Sequence, residues 1–172
     1  GADLDTAKGW VEDAKRPIII AGLDVLADDA SAELQAFAET HGIPVITTYK
    51  AKGVLPEDHP LSLGGAGLSP LADTHLLPLV READLILCIG YDPIEMRPGW
   101  REVWNPSTQR VIDIQAVPNR HYMHQATLSF TCNIAAGIAA LQTLQDGLGE
   151  HPDLAQMPEI LLPGDTRDIE AE

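Results

Sequence analysis

Six short runs rich in aliphatic and β-branched residues alternate along this chain with stretches whose apolar residues follow helical spacing. The runs lie at residues 17–22, 43–47, 61–64, 84–90, 110–114 and 126–130. Several are apolar at consecutive positions, which indicates strands buried on both faces, and no hairpin signal joins neighbouring runs. This alternation predicts a doubly wound α/β fold, with a six-stranded, mostly parallel sheet and helices on both faces.

Helical spacing of apolar residues fills the segments between these runs. The first helix is predicted to begin at Asp5, and the second at Asp28 or Asp29, because aspartate caps helix amino termini well. Gly42 is predicted to end the second helix, since glycine readily adopts the left-handed conformation that closes many helices. A third helix precedes the fourth run, and Asn133 is predicted to cap a closing helix.

The charge of the chain narrows the range of its partners. A formal net charge of −15 over 172 residues opposes binding to nucleic acid, whose phosphates carry the same sign. The last 28 residues hold 8 acidic and 1 basic side chains, a balance of −7. We therefore expect residues 1–149 to form the folded domain and residues 150–172 to form an acidic linker or tail.

Targeting signals are missing from the sequence. No apolar run approaches the roughly 20 residues that a membrane span requires, and no signal-peptide pattern opens the chain. We therefore expect a cytoplasmic protein with no membrane partner. The chain opens on Gly-Ala-Asp instead of a methionine, which we interpret as the start of a piece of a longer protein.

In a doubly wound sheet, ligands bind above the carboxyl ends of the strands, near the point where the strand order reverses. A dinucleotide site there carries the pattern G-x-G-x-x-G, which lets backbone amides approach a pyrophosphate. The first predicted turn instead has Gly22 followed by Leu23 and Asp24. Asp24 either holds a ribose hydroxyl or forms the turn, and the glycines of residues 64–67 either cradle a phosphate or form a tight turn.

Other catalytic patterns are also missing from the sequence. There is no Walker A motif, and Ser69 before Pro70 does not make the G-x-S-x-G elbow of a serine nucleophile. His121 and His124 have a spacing seen at metal sites, but no third ligand is recognisable beside them. The residues alone therefore predict a nucleotide-type fold with no catalytic residue and no metal site.

Four segments nevertheless follow one another in a diagnostic order and spacing: RPIIIAG, HGIPVITTYKAKGVLPEDHP, ADLILCIGYDPIE and RVIDIQ. Through them, residues 7–144 resemble the central domain of thiamine-diphosphate-dependent enzymes of the acetolactate synthase type. The resemblance implies a Rossmann-like, DHS-like fold of the NAD/FAD-binding-domain type. It also implies sister domains on the amino-terminal and carboxyl-terminal sides in a longer parent chain.

The resemblance implies that the two sister domains of the parent bind thiamine diphosphate and Mg²⁺. The activating glutamate belongs to the first of them and a G-D-G metal motif to the last, and Gly164-Asp165-Thr166 does not continue as that motif does. The chain alone is therefore expected to be inactive, whereas the parent decarboxylates or ligates 2-keto acids. The parent is expected to be a homodimer or homotetramer. A free-standing FAD- or NAD-binding module is the alternative.

Flavin-dependent relatives carry glycines after the first strand and a basic residue after the glycine that ends the fourth. Here those positions are Leu23-Asp24 and Tyr91-Asp92, a pattern that resembles the catabolic, flavin-free enzymes. Carboxylates that face a pyrophosphate oppose its binding, by about 1 kcal/mol for unit charges roughly 4 Å apart in water and by more in a cleft. We expect no FAD, and a vestigial crevice formed by Gly22, Asp24, Gly64, Gly90 and Asp92.

The resemblance also places residues of the loops after the second and fourth strands near the substrate channel of the parent. These candidates are Tyr49, Lys50, Glu95 and Arg97. The acidic–basic pair that is common in the family is replaced here by Glu95-Met96. The four residues are candidates for contact with substrate, and none of them is expected to be catalytic.

Overall fold

The computed structural model of the protein describes residues 1–118 and 124–142. In this part of the chain the strands are β1 (Pro17–Ala21), β2 (Val45–Thr48), β3 (Ser62–Ala66), β4 (Leu85–Ile89), β5 (Arg110–Gln115) and β6 (Leu128–Thr131). All neighbouring strands pair in parallel, in the order β3-β2-β1-β4-β5-β6. This is the strand order of a doubly wound sheet, so the predicted fold class is confirmed.

Helices connect the strands. They are α1 (Ala2–Asp13), α2 (Leu23–Ala27), α3 (Ser31–His41), α4 (Pro70–Glu82) and α5 (Ile134–Leu141). Short 3₁₀ turns are formed by Tyr49–Ala51, Pro93–Glu95 and Pro98–Trp100. Each described strand begins and ends within two residues of a predicted run, because consecutive apolar residues bounded by glycine, proline or charged residues are a strong local signal.

Hydrophobic cores lie on both faces of the sheet. In β1, Ile19 belongs to one core, whereas Ile18 and Ile20 belong to the other, since successive side chains of a strand point to opposite faces. The first core is completed by residues of α1, α2, α3 and α5, and the second by residues of α4 and the segment around Trp100. The prediction of helices on both faces of the sheet is therefore confirmed.

Two predicted helix starts are wrong. The first helix begins earlier than predicted, with Gly1 and not Asp5 at its N-cap. The segment after β1 forms two helices, α2 and α3, in place of one. Asp28 does not cap α3, because its carboxylate accepts a hydrogen bond from Ile134 N at 2.9 Å. Asp29 has a left-handed φ of 51° and lies in the turn between the two helices.

Predicted helix ends that depend on local chemistry are confirmed. Gly42 ends α3 in the left-handed conformation, with φ 62° and ψ 38°. Asn133 caps α5, where its Oδ1 accepts a hydrogen bond from Ala136 N at 3.1 Å. Ser69 caps α4 in the same manner, and that helix continues past Pro78 to Glu82.

Some expectations concern residues that the structure does not describe. The predicted linker at 150–172 and the domain end at residue 149 are among them, as is His121. Within residues 1–118 and 124–142, none of the helices is both long enough and apolar enough to cross a membrane.

Candidate functional site

The order of the strands reverses between β1 and β4, so the loops that follow these two strands flank the switch point of the sheet. In this chain the two loops contact each other directly. Gly22 N donates a hydrogen bond to Ile89 O at 2.9 Å, and Asp24 N donates one to Gly90 O at 3.1 Å. The place where a doubly wound fold admits a ligand is therefore closed by backbone hydrogen bonds.

Gly22 and Gly90 make this closure possible. A Cβ atom on Gly22 would collide with the carbonyl oxygen of Gly90 and lie 2.5 Å from Tyr91 Cα. Gly90 has a left-handed φ of 59°, and a Cβ atom there would lie 2.7 Å from Val25 N. Both positions need glycine for the contact between the loops, and both amide groups donate to carbonyl oxygens of the chain.

The carboxylate of Glu95 fills the remaining space between the loops. Its Oε1 accepts hydrogen bonds from Leu23 N at 3.3 Å and from Asp92 N at 3.1 Å, and its Oε2 accepts one from Thr48 Oγ1 at 2.5 Å. These bonds join the loops after β1 and β4 to the end of β2. Thr48 is fully buried and was not predicted as a site residue, because its partner lies 47 residues away and no local pattern signals the pair.

The loop after β4 takes this shape for a local reason. Asp92 is the N-cap of the 3₁₀ turn Pro93–Glu95, and its Oδ1 accepts a hydrogen bond from Ile94 N at 3.0 Å. Glu95 accepts in return from the amide of Asp92, which completes a capping box. The two carboxylates that the sequence places after β4 therefore stabilise the loop that contains them.

Acidic groups cluster around the loops after β1 and β4. Burial raises the pKa of the Asp24 carboxyl group, and the negative charges of Asp28 and Asp92 raise it further. Asp113 in β5 is buried, and its Oδ1 has no hydrogen-bond partner among the described residues. Burial raises the pKa of Asp113 to about 7, with a smaller contribution from the charge of Asp92. Such a field opposes a bound pyrophosphate, and the absence of FAD stays a prediction.

Aromatic residues and His124 form a second cluster beside the loop after β4. Tyr91 Oη lies 2.8 Å from His124 Nδ1, and His124 Nε2 contacts the carbonyl oxygen of Trp100. Burial lowers the pKa of His124 and raises that of Tyr91. Both ring nitrogens of His124 are thus used within the chain. The described residues contain no group of three or more side chains placed to hold a metal ion.

The four channel candidates fall into two groups. Tyr49 and Lys50 lie in the exposed turn after β2, and Arg97 is exposed after the loop of β4. Lys50 and Arg97 make no hydrogen bond or ion pair through their side chains within the described part of the chain. Glu95, by contrast, directs its carboxylate into the crevice. Contact between these residues and a substrate stays a prediction.

Gly64 lies apart from the crevice. It belongs to β3, the outermost strand on one side of the sheet, which is separated from β1 by β2. Gly67, in the same glycine-rich stretch, donates its amide to the carboxylate of the buried Asp73 at 2.9 Å. Because this amide already has an anionic partner, the bond favours a tight turn over a phosphate cradle at residues 64–67.

Comparison with known proteins gives a consistent family assignment. Residues 4–142 match the family described as "Thiamine pyrophosphate enzyme, central domain". The chain is 31% identical over 141 residues to a probable acetolactate synthase of Mycobacterium bovis, covering 82% of the chain and 24% of that relative. It is 37% identical over 87 residues to the acetolactate synthase large subunit of Corynebacterium glutamicum, covering 51% of the chain and 14% of that relative.

A relative of another activity matches to a similar extent. The chain is 30% identical over 139 residues to a sulfoacetaldehyde acetyltransferase of Rhodobacter capsulatus, covering 80% of the chain and 22% of that relative. The chain thus spans at most 24% of the length of these three relatives. Its residues correspond to one domain of a much longer type of protein.

Proposed function

Because the chain belongs to the family of thiamine pyrophosphate enzyme central domains, we propose that it is the non-catalytic middle domain of an enzyme resembling acetolactate synthase. In the parent enzyme a 2-keto acid is decarboxylated and the remaining fragment is joined to an acceptor. The observation that carries this proposal is the distribution of exposed hydrophobic side chains, which marks one edge of the sheet as a surface for sister domains.

The carboxyl ends of the six parallel strands form one edge of the sheet, called the carboxyl edge here. Every large hydrophobic side chain that is exposed in the described residues lies in a segment at this edge: Leu23, Leu26, Tyr49, Leu68, Leu71, Ile94 and Val117. Parallel strands bring these segments to the same edge, because each follows a strand or begins the next helix. A concentration of exposed apolar side chains marks a surface that packs against other protein. We assign this edge to contact with the catalytic domains of the parent.

Thiamine diphosphate and Mg²⁺ do not fit the crevice of this chain. Gly22 and Gly90 close it, and the carboxylates of Asp24 and Asp92 oppose the diphosphate of the cofactor. The described residues also offer no cluster of three potential metal ligands. In this proposal the sister domains hold the cofactor and the metal, and no residue of this chain takes part in a chemical step.

Lys50 and Arg97 are proposed to face the substrate channel, together with Tyr49. All three side chains are exposed, and the two cations have no partner in the described part of the chain. Their positive charge is therefore available to attract the carboxylate of a 2-keto acid toward the catalytic centre. Glu95 contributes indirectly, because it bonds to the end of β2 and to the loop after β4, which directly precede these residues in the chain.

The parent is further proposed to be a cytoplasmic homodimer or homotetramer. The net charge of −15 supports a protein that does not bind nucleic acid. The exposed hydrophobic side chains of the carboxyl edge support association with further protein.

A free-standing FAD- or NAD-binding module is not favoured. The switch point, where a dinucleotide would be bound, is closed by the hydrogen bonds between the loops of β1 and β4. The carboxylate of Glu95 also accepts hydrogen bonds from a backbone amide of each loop. A dinucleotide would have to displace these contacts before its own phosphates were bound.

The first test compares the 172-residue chain with its parent enzyme. With thiamine diphosphate, Mg²⁺ and pyruvate as a representative 2-keto acid, we expect a carboligation product from the parent and none from the chain alone. Calorimetry should detect no binding of thiamine diphosphate to the chain. Tight binding of the cofactor to the chain alone would contradict the proposal.

A second test addresses the channel residues in the parent. Arg97→Gln and Lys50→Gln should each raise KM for the 2-keto acid by about tenfold with a smaller effect on kcat, because a charge that guides the substrate is lost. Arg81→Gln, which removes an exposed cation from α4, is the matched control and should leave KM unchanged. Equal effects of all three substitutions would argue against a channel role.

A further inference from the structure

We propose that Glu95 is a built-in anion that occupies the ligand position at the switch point, and so determines that this domain holds no nucleotide phosphate there. The inference does not depend on the role of the parent enzyme, because every group involved belongs to this chain. It rests on where the carboxylate lies, what donates to it and what surrounds it.

The carboxylate of Glu95 lies at the point where the sheet is built to receive a ligand. Ligands of doubly wound sheets bind outside the carboxyl ends of the strands where the strand order reverses, here between β1 and β4. Glu95 Oε1 accepts hydrogen bonds from Leu23 N in the loop after β1 and from Asp92 N in the loop after β4. One oxygen of a side chain thus bridges the two loops that flank the switch point.

The donors around Glu95 form a cradle that suits an anion. Two backbone amides from different loops converge on Oε1, at 3.3 Å and 3.1 Å, and the hydroxyl group of Thr48 donates to Oε2 at 2.5 Å. Thr48 is fully buried, so water does not replace its acceptor freely. Removal of the carboxylate would leave three donors without their acceptor, and the loss is most costly for the hydroxyl group of the buried Thr48.

The surroundings of the cradle select a small anion with a single charge. Asp24 and Asp92 lie on the same two loops, and their carboxylates repel further negative charge. The hydrogen bond between Asp24 N and Gly90 O holds the two loops together beside the cradle. The cradle therefore suits a compact carboxylate, and Glu95 supplies one from within the chain.

Chemical rescue with formate tests this inference on the 172-residue chain. Glu95→Ala should vacate the cradle and lower Tm. Sodium formate at about ten times its dissociation constant should then raise the Tm of Glu95→Ala by about 3 °C more than sodium chloride of equal ionic strength. Titration with formate should also shift the amide signals of Leu23 and Asp92 in a ¹⁵N-labelled sample.

Wild type and Glu102→Ala are the controls, since Glu102 is an exposed glutamate a few residues further along the same segment. Neither should gain stability from formate over chloride, because the cradle is already filled. Formate that is no better than chloride for Glu95→Ala would overturn the inference. A rise in the Tm of wild type with micromolar ADP would overturn it as well, since a filled cradle cannot accept a phosphate.

Glu95→Gln covers the case in which Glu95→Ala does not fold. The amide keeps the size of the side chain but removes its negative charge. The amide protons of Leu23 and Asp92 should then resonate upfield of their wild-type positions, because a neutral acceptor is weaker than a carboxylate. Glu102→Gln should leave both signals in place. Unchanged signals in Glu95→Gln would overturn the inference.

Discussion

Gly22 and Gly90 let two loops approach each other more closely than any larger residue would permit. Beside them, the carboxylate of Glu95 accepts hydrogen bonds from three donors. Asp113 differs, because one of its buried oxygens has no partner among the described residues. Single residues therefore control both the closure of the crevice and the response of the fold to pH.

Gly22→Ala should destabilise the domain by about 3 kcal/mol, because the new methyl group would overlap the carbonyl oxygen of Gly90 and the backbone of Tyr91. Gly9→Ala in α1 is the control, since a Cβ atom there has open space. That change should stabilise the helix by about 0.8 kcal/mol. Urea unfolding measures both variants, and a similar small effect of the two would show that the loops are not tightly packed.

Asp113 should make stability fall as pH rises. Its pKa is raised from 3.8 to about 7 in the folded protein, so between these values the folded state binds a proton that the unfolded state has released. The free energy of unfolding therefore decreases across this window, and the loss is complete above about pH 7. Asp113→Asn removes the ionisation and should be more stable than wild type at pH 8.

The advantage of Asp113→Asn over wild type should grow by about 3 kcal/mol between pH 5 and pH 8, as measured by urea unfolding. Asp58→Asn removes an exposed carboxylate and should show no such growth. An advantage of Asp113→Asn that is the same at both pH values would show that this carboxyl group does not titrate in that window.

At the scale of elements, the amino terminus of α5 is held by one side chain next to it in sequence and by another from a distant part of the chain. Asn133 caps its amino terminus locally, and Asp28 accepts a hydrogen bond from Ile134 N across 106 residues of sequence. Ile138 and Leu141 bury the helix against the core that α1 and α3 complete. The start of α5 therefore also fixes the turn between α2 and α3.

Asn133→Ala should cost about 1 kcal/mol in the free energy of unfolding, because the amide of Ala136 loses its acceptor. Asn133→Asp keeps an acceptor oxygen at the cap and should remain close to wild type. Thermal or urea unfolding separates the two variants. If both substitutions were equally harmful, the side chain would matter for a reason other than capping.

At the scale of the whole molecule, polar and apolar surfaces are segregated. The carboxyl edge of the sheet carries the exposed hydrophobic side chains of the described residues, among them Ile94 and Val117, which are 70% and 68% exposed. The exposed hydrophobic side chains of α2 and α4 also lie at the carboxyl edge. Elsewhere in the described ranges, the helices and the opposite edge of the sheet expose no large hydrophobic side chain. This distribution supports the proposal that the chain is one domain of a longer protein.

Without its sister domains, the chain should self-associate through this edge at high concentration. Ile94→Ser combined with Val117→Ser should weaken the association by about tenfold in sedimentation equilibrium, because exposed apolar area is lost. Tm should stay the same, since neither side chain is part of a core. Ala36→Ser on the exposed surface of α3 is the control, and an equal effect there would argue against the assignment of this edge.

Features that depend on residues close together in sequence were predictable, and features that depend on residues far apart were not. Strands and most helices were predictable because apolar runs, helical spacing and caps such as Gly42 act over a few residues. The starts at Asp5 and Asp28 were mispredicted, because Gly1 had no recognisable signal as a cap and Asp28 is engaged by Ile134 instead. The substrate candidates Tyr49, Lys50 and Arg97 remain predictions.

By itself, the sequence determined the α/β class and the strands buried on both faces, since each follows from residue type and short spacing. The crevice around Asp24 and Asp92 was a prediction from the family resemblance. Only the tertiary structure decided how that crevice is closed. Gly22 meets Gly90, and Glu95 binds Leu23 across 72 residues of sequence and Thr48 across 47. These partners are adjacent solely because β1, β2 and β4 lie side by side, and the order of strands is set by the packing of the whole chain.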